Sequence, residues 1–150
     1  MVGYILFGSM PTIIAIVDGL GGGIGAQLAE RVKREGFPGT TIVALGTNAV
    51  ATQRMIEAGA DRGASGENAI RVSVDLADYV LGPIGIVLPN AMMGELTPAM
   101  AGAVFGSRAR KILLPLAQAH VSVVGLAQLN VGELIDEAMA VLARALKGQG

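Results

Sequence analysis

The sequence predicts an α/β protein of three layers, a mainly parallel sheet of five to six strands with helices on both faces. Two observations carry this. Strand-like and helix-like segments alternate along the chain, the pattern of a parallel sheet joined by helical crossovers. The first such pair is also unusually clear: an uncharged, β-branched run, Thr12 to Val17, leads through Asp18-Gly-Leu-Gly-Gly-Gly-Ile-Gly25 into Ile24, Leu28 and Val32 at helical spacing. A length of 150 residues suits one domain with a real core. The expected layout is one domain over 10–150, with residues 1–9 an upstream extension outside the fold.

Each element has its own signal. Gly36 stops the first helix. Thr40 to Leu45 forms the second β-rich run, after which Thr47 or Asn48 caps a helix that runs to about Ala58 and ends at Gly59. A short third strand is expected near Arg62 to Ala64, with Ser65 capping a turn or helix through Ala69 and Val72. Asp78 to Leu81 is the fourth strand, ended by Gly82-Pro83, and Ile84 to Leu88 reads as buried helix rather than strand. Thr97-Pro98 starts a helix, since threonine caps and proline suits the first helical position, and Gly106 closes it. Lys111 to Leu116 and Val121 to Gly125 read as strands five and six. The last helix is the clearest: Asn130 caps it, Glu133 completes a capping box, and Leu134, Ile135, Ala138, Val141, Leu142 and Ala145 form one stripe.

Composition narrows the function. Charged residues are 15% of the chain against 52% hydrophobic ones, so a monomer surface would be poor in charge, and a homo-oligomer is expected. A net charge of −1, with Phe7, Phe37, Phe105, Tyr4 and Tyr79 forming no stacking set, gives no footprint for nucleic acid. There is no cysteine and only one histidine, His120, which removes disulfides, thiolate chemistry and histidine clusters; no metal site is expected. Residues 1–17 lack the basic start of a targeting segment, and the uncharged stretch Tyr79 to Gly94 is interrupted by Gly82, Pro83, Gly85 and Pro89. No membrane association is expected, and a cytoplasmic location fits.

The strand, glycine turn, helix order is that of a phosphate site. Phosphate needs backbone N–H groups aimed at it, an open helix N-terminus supplies them, and glycines let the main chain come close. The plainer alternative is a tight turn whose glycines serve only helix-on-sheet packing. In a sheet of this class ligands bind beyond the carboxyl ends of the strands. The candidate ligand-binding residues collect there: Asp18, Gly19, Gly21, Gly22, Gly23, Ile24 and Gly25; Gly46, Thr47 and Asn48; Gly66, Glu67 and Asn68; Gly82 and Pro83. Asp18 either contacts a metal or ribose hydroxyl or bonds the N–H groups of its own turn.

The first turn resembles the short-chain dehydrogenase fingerprint TGxxxGIG, with Gly19, Gly23, Ile24 and Gly25 in register and Asp18 in place of threonine. That resemblance implies a bound nicotinamide dinucleotide and a catalytic YxxxK pair. Neither tyrosine has its lysine, because Gly8 follows Tyr4 and Pro83 follows Tyr79 at that spacing, so no catalytic set carries over. Leu88-Pro89-Asn90-Ala91 is similar to that family's asparagine motif. An acidic residue at the end of strand two would hold the ribose of NAD; Gly46, Thr47 and Asn48 stand there, which favours NADP weakly, with Arg54 near enough to approach a 2′-phosphate or to be a solvated surface residue.

Over residues 12 to 140 the chain resembles a bacterial family of small Rossmann-like proteins known only as a domain of unknown function. The motifs that carry this are Val17-Asp18-Gly19 with Gly21 to Gly25, Ala44 to Ala49, Gly66 to Ile70, Gly82-Pro83-Ile84, Gly94 to Pro98 and Lys111 to Pro115. The resemblance implies the architecture and no particular reaction.

Other polar groups have competing readings. Glu67 and Glu95 are either an acid–base pair meeting across the cleft or residues that favour helix starts. His120 reads as a surface or capping residue, and Met92, Met93 and Met100 as packing groups. The favoured function is a nucleotide- or dinucleotide-binding module, sensory or regulatory, taking NAD(P) or another phosphate-bearing nucleotide. The alternatives are a small NAD(P)-dependent oxidoreductase or transferase with a site completed between subunits by Glu67, Asn68, Asn90 and Glu95, and a structural Rossmann-like protein that binds nothing.

Overall fold

The computed structural model describes residues 10–118, 120–126 and 128–148. In chain order the elements are β1 (Thr12–Asp18), α1 (Gly23–Glu35), β2 (Thr40–Gly46), α2 (Ala49–Ala58), β3 (Arg62–Ser65), α3 (Glu67–Val74), β4 (Tyr79–Pro83), a 3₁₀ turn (Ile84–Val87), α4 (Pro98–Gly106), β5 (Arg110–Leu114) and α5 (Val131–Leu146). The strands form one sheet in the order β3-β2-β1-β4-β5, and every pairing is parallel. This is a Rossmann-like, doubly wound arrangement, and its order reverses between β1 and β4.

β1 is central because it is apolar on both sides. Ile14 and Ile16 enter one core with Leu28 and Val32 of α1, Met55 of α2, and Ile135, Met139 and Leu142 of α5. Ala15 and Val17 enter the other core, with Ile70 and Val74 of α3 and Met100 and Val104 of α4. Side chains alternate across a strand, so an uninterrupted apolar run fits only where both faces are covered.

The helix boundaries follow their caps. Gly36 takes φ +64° and its N–H returns to the Val32 carbonyl. Asn48 caps α2 by accepting from Ala51 N–H, and Thr97 caps α4 by accepting from Met100 N–H, with Pro98 in the first turn. The capping box of Asn130 and Glu133 is formed in both directions, and the buried stripe of α5 is Ile135, Ala138, Met139 and Leu142.

Four expectations are corrected. Val121 to Gly125 is not a strand: one antiparallel bridge joins Gln118 to Val121, and Val124 is 95% exposed. β-branched composition makes a strand only where a paired neighbour and a buried face exist, and this segment has a single bridge and no buried residue. The sheet therefore has five strands. β5 stops at Leu114 rather than Leu116, since Pro115 has no N–H to continue a ladder. Ser65 does not cap α3; Gly66 occupies that position without a side-chain bond, and the Ser65 hydroxyl donates instead to Thr52 Oγ1 at 2.7 Å. Gly82 and Pro83 belong to β4, paired with Leu113 and Leu114, rather than ending it. Residues 1–9, the expected extension, lie outside the described residues.

Ile16 is fully buried in the central strand. Ile16→Ala is expected to lower unfolding stability by about 2–5 kcal/mol in urea denaturation, the usual cost of a large-to-small change in a packed core.

Candidate functional site

The turn after β1 lies beside the order reversal, at the carboxyl ends of the strands. Asp18 is its foundation. This carboxylate is 5% exposed and accepts two backbone N–H groups, Gly19 at 2.8 Å through Oδ1 and Gly25 at 2.6 Å through Oδ2. Asp18 thus serves its own turn, one of the two roles expected for it. Burial pushes its pKa above the usual carboxylate value; the N–H groups of Gly25 and Gly19 and the Arg54 charge oppose that rise, and the Glu95 charge adds to it.

The glycines of the turn divide by what surrounds them. A Cβ on Gly25 would stand 2.5 Å from Met55 Sδ and 2.8 Å from Asp18 Cβ, and one on Gly19 would stand 2.5 Å from Thr47 Oγ1. Gly22 takes φ +71°, and a Cβ there would stand 2.8 Å from Ala51 Cα. Packing or conformation therefore accounts for these three. Gly21 and Gly23 differ: the nearest atom to a Cβ at either is Arg54 Nη1, at 3.8 and 3.6 Å. Among the described residues no acceptor meets the N–H groups of Gly23 and Ile24, which open α1.

Arg54 completes this edge. It rises from α2, and its Nη1 donates to the Gly21 carbonyl at 3.1 Å. The guanidinium lies beside the turn on an exposed residue.

Glu95 joins two turns that are far apart in sequence. Its Oε1 accepts from Leu20 N–H at 3.0 Å, Thr47 Oγ1 at 2.6 Å and Asn48 Nδ2 at 2.8 Å. Asn48 Nδ2 also donates to the Leu20 carbonyl at 2.9 Å, and Thr47 N–H to the Asp18 carbonyl at 3.0 Å. Segment 88–96 delivers Glu95 by folding back on itself, with Asn90 N–H on the Leu96 carbonyl and Leu96 fully buried. The hydroxyl of Thr47, then the Asn48 amide, then Leu20 N–H hold the Glu95 carboxyl below its ordinary value, against a small opposing effect of burial.

The remaining candidates are spread along the same sheet edge. Gly46 donates to Thr52 Oγ1 and accepts from Gly66 N–H, tying the ends of β2 and β3. Glu67 accepts from the Thr97 hydroxyl at 2.6 Å, so Glu67 and Glu95 are held by different partners rather than by each other. Asn68 faces a groove of about 830 Å³ that runs between α3 and α4, past Arg71, Asp75 and Gly102, away from the glycine turn. Gly82 is buried, and a Cβ there would strike the Val17 carbonyl oxygen, which gives it a packing role; Pro83 is buried beside it. His120 is exposed, with φ +61°. Met100 is in the core, Met92 lies against Gly19, and Met93 is exposed.

One residue gains a role that local sequence does not assign. Nothing near Glu95 announces a bond to Thr47, 48 positions away. The usable signal is topological: with β1 beside β4, the loop after β4 must pass close to the turn after β1.

The chain belongs to the family described as Domain of unknown function (DUF3842), whose model matches residues 13–147. No curated protein matches it. Among solved structures, it is similar to a dodecameric FMN-dependent Ubix-like decarboxylase from Escherichia coli O157:H7. The identity is 17%, the match covers 89% of this chain and 75% of that one, and the TM-score is 0.43.

The lowered Glu95 pKa has a signed consequence. A carboxyl that binds its proton less readily when folded adds stability above its unfolded value, near 4.5, and loses that contribution as pH falls through the lower folded value. The stability difference between wild type and Glu95→Gln is expected to be largest near neutral pH and to shrink below about pH 4.5. Denaturation series from pH 7 to 3 measure it; a constant difference would show that the charge contributes nothing.

Proposed function

We propose that this protein binds a phosphate-bearing nucleotide or dinucleotide at residues 18–25 and acts as a sensory or regulatory module. One observation supports this above the others: Gly21 and Gly23 have no neighbour in the protein that demands glycine, and the N–H groups of Gly23 and Ile24, without an acceptor among the described residues, lie beside a guanidinium. A chain that needed glycines only to seat α1 on the sheet would require Gly19, Gly22 and Gly25 alone. A phosphate is the group that uses the rest, since it needs close backbone approach, N–H donors at a helix start and a cation alongside. Asp18 is no rival for that place, because its carboxylate is turned inward to Gly19 and Gly25. In this reading Gly21, Gly23, Ile24 and Arg54 face the phosphate, and Thr47 and Asn48 border the sugar beyond it.

Self-association belongs to the same proposal. Val124 and Met93 are almost fully exposed, and Phe105 and Val50 are about two-thirds exposed. Among the described residues no helix is long and apolar enough to cross a membrane. A second copy is the cover that a charge-poor surface of this kind suits.

Thermal melting with a panel of mono- and dinucleotides at millimolar concentration tests the binding. A ligand at 100 times its Kd adds about 2.7 kcal/mol of stability, a clear shift in Tm, and no shift with any of them would sink the proposal. Gly23→Leu is expected to remove the shift while leaving the unliganded Tm within about 2 °C, as for a surface substitution. Light scattering is expected to give a mass above the 15.2 kDa of one chain; a strict monomer would refute self-association.

A further inference from the structure

β2 ends in Gly46-Thr47-Asn48 and carries no carboxylate of its own, although a ribose bound along this sheet edge needs an acceptor for its hydroxyls at that place. A carboxylate is nevertheless there. Glu95 reaches it from the loop that follows β4, bonded to both Thr47 and Asn48. We infer that Glu95 is the specificity-determining residue of the site: it receives a ribose whose 2′- and 3′-hydroxyls are both free and rejects a 2′-phosphate. This inference rests on the nucleotide-binding reading above.

The division of labour between its two oxygens supports the assignment. Oε1 takes all three donors, Leu20 N–H, Thr47 Oγ1 and Asn48 Nδ2. Oε2 receives none among the described residues, so one full acceptor is left on a carboxylate that is already fixed in place. All three partners are neutral, and among the described residues no Lys, Arg or His forms a salt bridge with Glu95. Arg54 is engaged at the Gly21 carbonyl, on the phosphate side of the turn. An acceptor with uncompensated negative charge suits hydroxyl donors and opposes a second phosphate. Leu20 N–H adds a spatial argument, since through it Glu95 stands between the glycine turn and the end of β2, where a sugar would follow a phosphate bound at Gly23 and Ile24.

A different role is open to the same contacts. Glu95 occupying Leu20 N–H could act as a plug that a ligand must expel. The two roles give opposite results on removing the charge.

NAD⁺ and NADP⁺ differ only at the 2′ position, and calorimetric titration of the full chain with each decides the matter. Wild type is expected to bind NAD⁺ at least about tenfold more tightly, the scale of one hydrogen bond to a charged group. Glu95→Gln, which keeps shape and removes charge, is expected to weaken NAD⁺ about tenfold and to abolish the preference. Equal affinities in wild type, tighter NADP⁺, or tighter NAD⁺ binding by Glu95→Gln would each overturn the inference while leaving nucleotide binding intact. If neither compound binds wild type, both this inference and its premise about dinucleotides fail. The wild-type comparison stands alone should Glu95→Gln fail to fold.

Discussion

The contact between α1 and β1 at Gly25 constrains everything at this edge of the sheet. An N–H from the first turn of the helix reaches a buried carboxylate at the end of the strand at 2.6 Å, and any side chain on Gly25 would collide with Asp18 and Met55. The helix start is therefore pinned against the order reversal, leaving the N–H groups of Gly23 and Ile24 without an acceptor among the described residues. Burial raises the Asp18 pKa, and the two backbone donors, with the Arg54 charge, oppose that rise only in part. The same aspartate passes the constraint sideways, because its carbonyl takes the Thr47 N–H and so sets where the turn after β2 begins.

The architecture was legible wherever its cause is local. Gly36, Asn48, Thr97 and Asn130 mark helix ends through bonds spanning three or four residues and occupy cap positions, with Pro98 and Glu133 in the first turns beside them. Thr12 to Val17 shows double-sided burial in its composition. Val121 to Gly125 has strand-like composition too and forms none, because pairing depends on a neighbour that composition does not describe. The glycine turn was legible as a unit, but which of its glycines are spare was not. That distinction needs Met55, Ala51 and Arg54, all from α2.

The Glu95 link was hidden for a related reason. Its donors lie at Leu20, Thr47 and Asn48, on turns that become neighbours only once the strand order is fixed. The absence of an acidic residue at the end of β2 reads from sequence as a site without a carboxylate. In space the carboxylate is present and arrives from the loop after β4. Asp18 and Glu95 also show how little residue type settles charge: burial raises the pKa of one, while neutral donors near the surface lower that of the other.

The segment that carries Glu95 is costly to form. Asn90, Met92 and Met93 all have φ near +60°, beside Gly94 at φ +90°. Non-glycine residues held at positive φ cost of order 1 kcal/mol each, so a loop serving only to connect would place glycine there. The side chains explain part of the choice: Ala91 and Met92 pack against the second core, and Met92 also fills the space over Gly19. Met93, which is 94% exposed, gains no such contact. What the tight path achieves is positional. It turns the chain sharply between Leu88 and the buried Leu96, and so brings the carboxylate of Glu95 back over β1 to the end of β2. Strain in this segment and three hydrogen bonds on one oxygen are two sides of a single arrangement, in which backbone energy is spent to hold a charge at the border of the glycine turn.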